Sequence, residues 1–129
     1  SRLKEIAAGF RAAGVKVSMF IDPDKRQVDA SAAAGADFVE LHTGRYANAE
    51  DQDKMHEIDR IVEAAAHAIR CGLVFNAGHG LNRHNLIPIA SIPGLNEVNI
   101  GHSIVSRALF IGLDAAVREV LDILQRCSR

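Results

Sequence analysis

The sequence predicts an α/β fold built from repeated strand–helix units, and three observations lead to this prediction. Four short apolar runs alternate with longer segments in which apolar residues repeat at helical spacing. Glycines punctuate the boundaries between these segments. Polar residues recur at alternate positions near the C-terminal end of each predicted strand. Repeated units of this kind imply a parallel sheet with helical crossovers, either in an open doubly wound sheet or in part of a (β/α)₈ TIM barrel.

The predicted elements follow one another without a linker, a low-complexity segment or a charge block. The chain is expected to begin inside a helix, because Leu3, Ile6 and Phe10 repeat at helical spacing, and such a start is typical of a piece of a longer chain. The predicted strands are residues 15–21, 37–42, 73–77 and 97–100. The predicted helices are residues 25–34, 50–70, a short segment ending near 91 and most of 103–126, with a loop at 43–48.

Strand polarity favours the barrel over the open sheet. Counted by twos, one face of the strands carries the polar residues and the other face is apolar. The first face consists of Ser18, Phe20, Asp22, Phe38, Glu40, His42, Val74, Asn76, Glu97 and Asn99. Central strands of an open sheet are usually apolar on both faces, whereas barrel enzymes gather their chemistry at the C-terminal ends of the strands. The alternative is that these groups only hydrogen-bond one another, but burying so many without a task is costly.

Two glycine-containing segments leave the third and fourth predicted strands. They are Asn76–Gly80 (NAGHG) and Asn99–Ser103 (NIGHS), and the second enters a helix. Glycines let backbone N–H groups approach an anion, and a helix start offers unpaired donors and a positive dipole end. A single glycine after a strand is mostly turn chemistry, and neither segment is a Walker A or dinucleotide fingerprint. The two segments in tandem favour a phosphate site.

The histidines divide into two groups. His79 lies between two glycines at a strand exit, which favours a general acid/base role, and His102 at the helix start is placed to donate to an anion. His42 shares a strand face with Glu40, so the two are candidates for a polar pair. The remaining histidines are predicted to be surface or local packing residues: His56, His67 and His84.

Metal and thiol chemistry are not expected. Glu40, His42 and His79 are a conceivable metal set, but no helical His pair or Cys/His spacing supports it, so we predict no metal. Neither Cys71 nor Cys127 lies at a strand exit, which argues against a nucleophilic cysteine. Isolated thiols suit the reducing cytosol, so a cytoplasmic location is expected.

Composition excludes two classes of partner. The formal net charge is −1 and no basic stripe stands out, which argues against nucleic acid. The longest apolar runs fall far short of the roughly 18 residues that suggest a membrane span. With 48% hydrophobic and 24% charged residues, the chain has the balance of a globular domain with a sizeable core.

Four motifs resemble those of the pyridoxine 5'-phosphate synthase family, which makes a B6 vitamer. They are FIDPD at residues 20–24, ELHTG at 40–44, NAGHGL at 76–81 and NIGHSIV at 99–105. The resemblance covers essentially the whole chain. It implies a (β/α)₈ barrel with extra helices, of which residues 1–129 are the C-terminal half with the last four βα units, assembled as a homo-octamer. It also implies condensation of 1-deoxy-D-xylulose 5-phosphate with 3-amino-2-oxopropyl phosphate, without a metal or an organic cofactor.

The resemblance also implies roles for five residues. His79 corresponds to the family's proton donor, and Glu40 to the carboxylate that stabilises the transition state. Gly80, Gly101 and His102 correspond to the site for the amino-ketone phosphate. The family's two catalytic bases belong to its N-terminal half, so the isolated chain is expected to be inactive.

Two rival functions remain open. A different phosphosugar barrel enzyme, such as an aldolase or an isomerase, is one rival. A Schiff-base aldolase needs a lysine on a strand, but Lys16 begins its strand at the end remote from the expected site. A non-catalytic half-barrel module is the other rival, and the missing N-terminal bases are the observation that supports it.

Overall fold

The computed structural model describes residues 2–127 and contains a four-stranded parallel sheet with flanking helices. The strands are β1 (Ser18–Ile21), β2 (Phe38–His42), β3 (Val74–Gly78) and β4 (Leu95–Asn99). The helices are α1 (Arg2–Ala12), α2 (Lys25–Ala34), α3 (Gly44–Asn48), α4 (Asp51–Arg70), α5 (Leu86–Ala90), α6 (His102–Ile111) and α7 (Leu113–Cys127). The predicted α/β class and parallel pairing are confirmed.

The strands lie in the sheet in chain order, β1-β2-β3-β4. The register aligns Phe20 with Glu40, Glu40 with Asn76, and Asn76 with Glu97. Because side chains alternate between faces along a strand, this row shares one face of the sheet, as predicted. A register shift between Phe75 and Asn76 interrupts the pairing of β3 with β4. The outer sides of β1 and β4 have no strand partner within the described part of the chain.

The opposite face of the sheet packs against the helices and forms the core. Val39, Leu41, Phe75 and Ala77 are fully buried there. The small residues Ala64, Ala65 and Ala68 of α4 are also buried, which lets that helix approach the sheet closely. The core cluster extends to residues after β3 and to α7: Leu81, Leu86, Ile89, Ile92 and Val120.

Local signals set the helix limits. Asp24 caps α2, because its Oδ1 accepts a hydrogen bond of 2.8 Å from the backbone N–H of Arg26. Gly35 ends the same helix in the left-handed conformation. An ion pair of 2.8 Å between Lys25 Nζ and Glu63 Oε2 joins α2 to α4 on the surface.

Several predicted boundaries need correction. β4 spans Leu95–Asn99 and not 97–100, because Leu95 pairs with Phe75 beyond the register shift and Ile100 lies outside the strand. β1 begins at Ser18, three residues later than predicted, because the Asp37 carboxylate accepts the Val17 N–H at 3.0 Å and takes the place of a ladder bond. The Lys16 ammonium, 2.8 Å from Asp37 Oδ1, together with that N–H lowers the pKa of Asp37. Residues 43–48 are not a loop, because the short helix α3 occupies Gly44–Asn48.

A further correction concerns the C-terminal helical segment. The predicted helix over 103–126 is divided into α6 and α7 at Gly112, whose φ of 84° is a left-handed value that breaks the helix. Among residues 2–127, no helix is long and apolar enough to cross a lipid bilayer.

Candidate functional site

A groove of about 640 Å³ opens at the C-terminal ends of the strands. All five residues predicted for the site line it: Glu40, His79, Gly80, Gly101 and His102. Phe20, Asn99 and Ser103 also contribute to its walls. The structure therefore brings together the residues that were separate candidates in the sequence.

Glu40 extends from the middle of the sheet into this groove. Its Oε2 accepts a hydrogen bond of 2.8 Å from Asn99 Nδ2, which ties β2 to β4 across β3. Gly78 lies between them on β3, and a side chain at this position would collide with Glu40 Oε1. The absence of a side chain at Gly78 therefore allows the carboxylate to lie over β3 and reach Asn99.

His79 follows β3 in a strained backbone conformation. Its φ is +78°, and it is the one non-glycine residue with a positive φ among residues 2–127. Gly80 continues in the same region with a φ of +76°. The two residues turn the chain sharply, so that the exposed His79 imidazole lies at the groove. Backbone strain of this kind persists only where surrounding contacts hold it.

Three rings are packed beside the groove. The His79 ring stacks on the His42 ring with centroids 4.5 Å apart, and the Phe20 ring meets His42 edge-on at 5.3 Å. Gly44 makes room for both imidazoles, because a Cβ there would lie 2.6 Å from His42 Cε1 and 2.9 Å from His79 Cδ2. The stack fixes one face of His79 and leaves the other side toward the groove.

Thr43 stabilises the strained turn by hydrogen bonds, a role that was not predicted from the sequence. Its hydroxyl oxygen lies 2.8 Å from the Gly78 carbonyl oxygen and 2.6 Å from that of His79, so the two carbonyls share its single proton. Its backbone N–H also donates to the Gly78 carbonyl at 2.8 Å. Thr43 is completely buried. The only sequence signal was its place in the ELHTG motif, since the residue was predicted to begin a loop.

Further hydrogen bonds fasten the segment after His79. Asn85 Nδ2 donates to the Gly80 carbonyl at 3.1 Å, and the Tyr46 hydroxyl donates to the Asn85 carbonyl at 2.7 Å. Burial raises the pKa of Tyr46, which keeps this phenol a neutral donor. Ser103 Oγ donates to the Leu81 carbonyl at 2.7 Å and links this segment to the start of α6. The two glycine segments therefore form one connected wall.

Gly101 and His102 form the other part of that wall. Gly101 is the residue before α6, and His102 is the first residue of the helix. Both are exposed, and a Cβ built on Gly101 meets no atom within 4 Å, so packing does not require glycine there. The first N–H groups of a helix lack partners within the helix and carry a partial positive charge. This end of the groove can bind an anion.

His42 does not form the pair with Glu40 that the sequence suggested. Glu40 bonds to Asn99, whereas His42 lies against His79 and Phe20. The His42 Nδ1 atom is buried without a hydrogen bond, and Asp22 Oδ1 lies 3.9 Å from it. Glu40 thus contacts Asn99 while the two imidazoles stack on each other, and Glu40, His42 and His79 are not among the metal-binding clusters found in the described residues.

Lys16 lies outside the groove. It precedes β1, and its ammonium is paired with Asp37 at 2.8 Å on the surface. This position is the N-terminal end of the strand, opposite to the groove, which argues against a Schiff-base aldolase. His56 and His84 are exposed as predicted, whereas His67 is half-buried and contacts Asp29.

The arrangement combines a carboxylate, an imidazole and an anion-binding helix end around one cavity. The carboxylate can stabilise a cationic centre, and the imidazole can donate and accept protons. The helix end can hold a phosphorylated ligand in place while these groups act.

Comparison with known proteins identifies the family of this chain. The model of the family described as pyridoxal phosphate biosynthesis protein PdxJ matches residues 1–126. A pyridoxine 5'-phosphate synthase of Coxiella burnetii is 52% identical over 119 residues, which are 92% of this chain and 50% of that protein. Relatives of the same name from a Synechococcus species and from Thioalkalivibrio sulfidiphilus are each 50% identical, over 93% and 100% of this chain and 51% and 53% of their own lengths. The chain spans about half the length of these relatives, and it belongs to the PdxJ family of pyridoxal phosphate biosynthesis proteins.

Proposed function

We propose that this chain is the C-terminal half of a pyridoxine 5'-phosphate synthase. The observation that carries the proposal is the shared groove, where the Glu40 carboxylate, the His79 imidazole and the Gly101–His102 helix start meet. The proposed reaction condenses 1-deoxy-D-xylulose 5-phosphate with 3-amino-2-oxopropyl phosphate to pyridoxine 5'-phosphate, inorganic phosphate and water.

The proposed architecture is one (β/α)₈ barrel, to which residues 1–129 contribute the last four βα units. Two features support it. The polar face of the sheet is open, with Phe20 56% exposed, while the helix-facing side is closed. Among the described residues, the outer sides of β1 and β4 have no strand partner, so both edges are available to pair with further strands. Four further βα units would continue the sheet from both edges and close it around the groove, which would stay open to substrates.

In this proposal the glycine wall binds the phosphate of the amino-ketone. Gly80, Gly101 and His102 lie on the same groove, and the Ser103–Leu81 hydrogen bond fixes the spacing between the two segments. Backbone N–H groups at the start of α6 would bind the phosphate oxygens, and His102 would add a side-chain donor. Binding energy from this handle would position the amine for attack on the second substrate.

Glu40 and His79 would act on the reacting atoms. Ring formation passes through an imine, so a carboxylate held by Asn99 beside the cationic nitrogen would stabilise it electrostatically. His79 would donate a proton to a departing oxygen, and the stacked His42 ring would keep its orientation. No metal or organic cofactor enters these steps. The small phosphorylated substrates, the homo-octamer and the cytoplasmic location belong to the same proposal.

An assay of the complete protein with both substrates tests the proposal. We expect pyridoxine 5'-phosphate and inorganic phosphate to form in equal amounts, whereas the isolated 129-residue chain should show no measurable synthesis. Lys16→Ala should leave synthesis unchanged, because this lysine lies away from the groove. A complete protein without synthesis would support the non-catalytic module instead. Covalent trapping of a phosphosugar on the complete protein by borohydride, abolished by Lys16→Ala, would support the aldolase.

A further inference from the structure

Three side chains that commonly bind metals meet between α2 and α4, outside the groove. Asp29 lies on α2, His67 in the last turn of α4, and Cys71 directly after that helix. His67 Nε2 is 2.6 Å from Asp29 Oδ1 and 3.7 Å from Cys71 Sγ. Asp29 Oδ1 is 3.8 Å from the same sulfur. None of the three residues lines the groove, so the proposed synthase chemistry leaves this cluster without a task.

Local structure brings the three groups together. The Cys71 N–H donates to the His67 carbonyl at 3.0 Å, so the helical geometry continues through Cys71 and places both side chains on one face. The Lys25–Glu63 ion pair joins α2 and α4 in the register that presents Asp29 to this face. The C-terminal end of α4 carries a partial negative charge, which favours a cation there.

A thiol–imidazole–carboxylate relay is the other use for these residue types. In such a relay the thiol and the carboxylate contact opposite nitrogens of the imidazole. Here Cys71 Sγ and Asp29 Oδ1 both approach Nε2 of His67. Three potential ligand atoms therefore face one point, which is the geometry of a shared cation and not of a relay.

The distances suit tetrahedral zinc. Zinc bonds of about 2.0–2.3 Å place ligand atoms roughly 3.3–3.8 Å apart. Both distances to Cys71 Sγ, 3.7 and 3.8 Å, agree with this spacing. The distance from Asp29 Oδ1 to His67 Nε2 is shorter, 2.6 Å, because these two atoms share a hydrogen bond. It has to increase by less than about 1 Å for both atoms to bind one zinc ion. The Asp29 side chain is 61% exposed and has room to shift.

We propose that Asp29, His67 and Cys71 bind a divalent transition-metal ion, best matched by Zn²⁺, with water as the fourth ligand. A thiolate with an imidazole selects zinc over the hard cations Mg²⁺ and Ca²⁺, which prefer oxygen ligands. The ion links α2 to α4 near the end of the strands opposite to the groove. It stabilises the fold and takes no part in the synthase reaction.

Arg70 supplies an additional test of the geometry. One guanidinium nitrogen, Nη2, lies 3.4 Å from Nδ1 of His67. When Nε2 of His67 binds a metal, the neutral imidazole carries its proton on Nδ1, so the guanidinium has to move away. Removing this cation by Arg70→Gln should therefore tighten metal binding.

Cobalt titration of the complete protein, first dialysed against a chelator, tests the site. We expect one Co²⁺ per chain, with a thiolate-to-cobalt charge-transfer band that Zn²⁺ abolishes by displacement, and a higher Tm with Zn²⁺ than without it. Cys71→Ser should remove the band, and His67→Gln and Asp29→Asn should each weaken binding by at least about tenfold. Cys127→Ser is the matched control and should keep the band, since Cys127 is the other free thiol.

Two results would overturn the proposal. One is the absence of a charge-transfer band in the unaltered protein. The other is a band that survives in Cys71→Ser or disappears in Cys127→Ser. If Cys71→Ser does not fold, zinc affinity measured by competition in Asp29→Asn and His67→Gln decides, and unchanged affinity in both counts against the site. Synthase activity is a separate readout, so failure of the metal site leaves the proposed reaction untouched, and the reverse also holds.

Discussion

The two faces of the same sheet differ in how far this chain completes them. On the helix-facing side, Val39, Leu41 and Phe75 are fully buried, and the helices of this chain close the core. On the other side Phe20 is 56% exposed, and Glu40 and Asn99 face an open groove. Residues one position apart on the same strand thus serve different purposes. Burial of apolar side chains on the closed face stabilises these units. The open face holds polar groups, and burying them is favourable only if a ligand or a further part of the chain forms hydrogen bonds with them.

The largest expected effect is a loss of turnover caused by a substitution on the open face. His79→Asn removes the imidazole but keeps a side chain that tolerates a positive φ and offers a hydrogen bond. General acid–base catalysis is worth about 10²–10⁴-fold, so turnover of the complete protein should fall by that factor with little change in stability. Steady-state kinetics with unfolding curves would measure both. His56→Asn, at an exposed position of α4, is the control, and unimpaired turnover in His79→Asn would remove His79 from the mechanism.

The next largest effect is a difference in unfolding free energy between substitutions on the two faces. Phe75→Ala should lower the free energy of unfolding by about 3–5 kcal/mol, because it leaves a cavity in the closed core. Phe20→Ala should cost only about 0.5–1.5 kcal/mol, mainly the edge contact with His42. Urea denaturation of the two variants of the complete protein gives the comparison. Equal losses would mean that the open face is a second core and not a binding surface.

A smaller effect is expected where the two faces meet. Thr43→Val keeps the shape of this buried side chain but removes the hydroxyl that bonds to the Gly78 and His79 carbonyls. We expect a loss of about 1–2 kcal/mol in unfolding free energy, and a turnover roughly tenfold lower because the strained turn is less well held. Thr43→Ser retains the hydroxyl and should restore turnover. If Ser and Val behave alike, the hydroxyl does not position His79.

The strands were predictable because each one carries a local period-two pattern. The alternation of Phe38, Glu40 and His42 with Val39 and Leu41 is visible in five consecutive residues, and it places each side chain on the correct face. The limits of the elements were less predictable because they depend on distant groups. The start of β1 shifted since Asp37, 20 residues away, bonds to the Val17 N–H. The helix α3 was missed because five residues give too little periodicity to recognise.

The candidate site shows the same division. Glu40 and His79 stood out because polar groups near strand ends have few structural uses, and the glycine segments marked the turns. Their partners could not be foreseen, since the Asn99 contact with Glu40 spans 59 residues and the Thr43 contacts span about 35. The His67–Cys71 spacing lies at the end of the predicted helix 50–70 but was overlooked, and only the packing of α2 on α4 brings Asp29 to it.

The unbroken strand order has a consequence for how the protein is made. In the strand order β1-β2-β3-β4, β2, β3 and β4 each pair with the strand synthesised just before, across a connection that contains at least one helix. Each new βα unit can therefore dock as it leaves the ribosome, without waiting for a distant segment. At every stage the most recent strand offers a bare edge that would pair with strands of another nascent chain. The rate of translation, relative to the rate of docking, then sets how long that edge is at risk of aggregation.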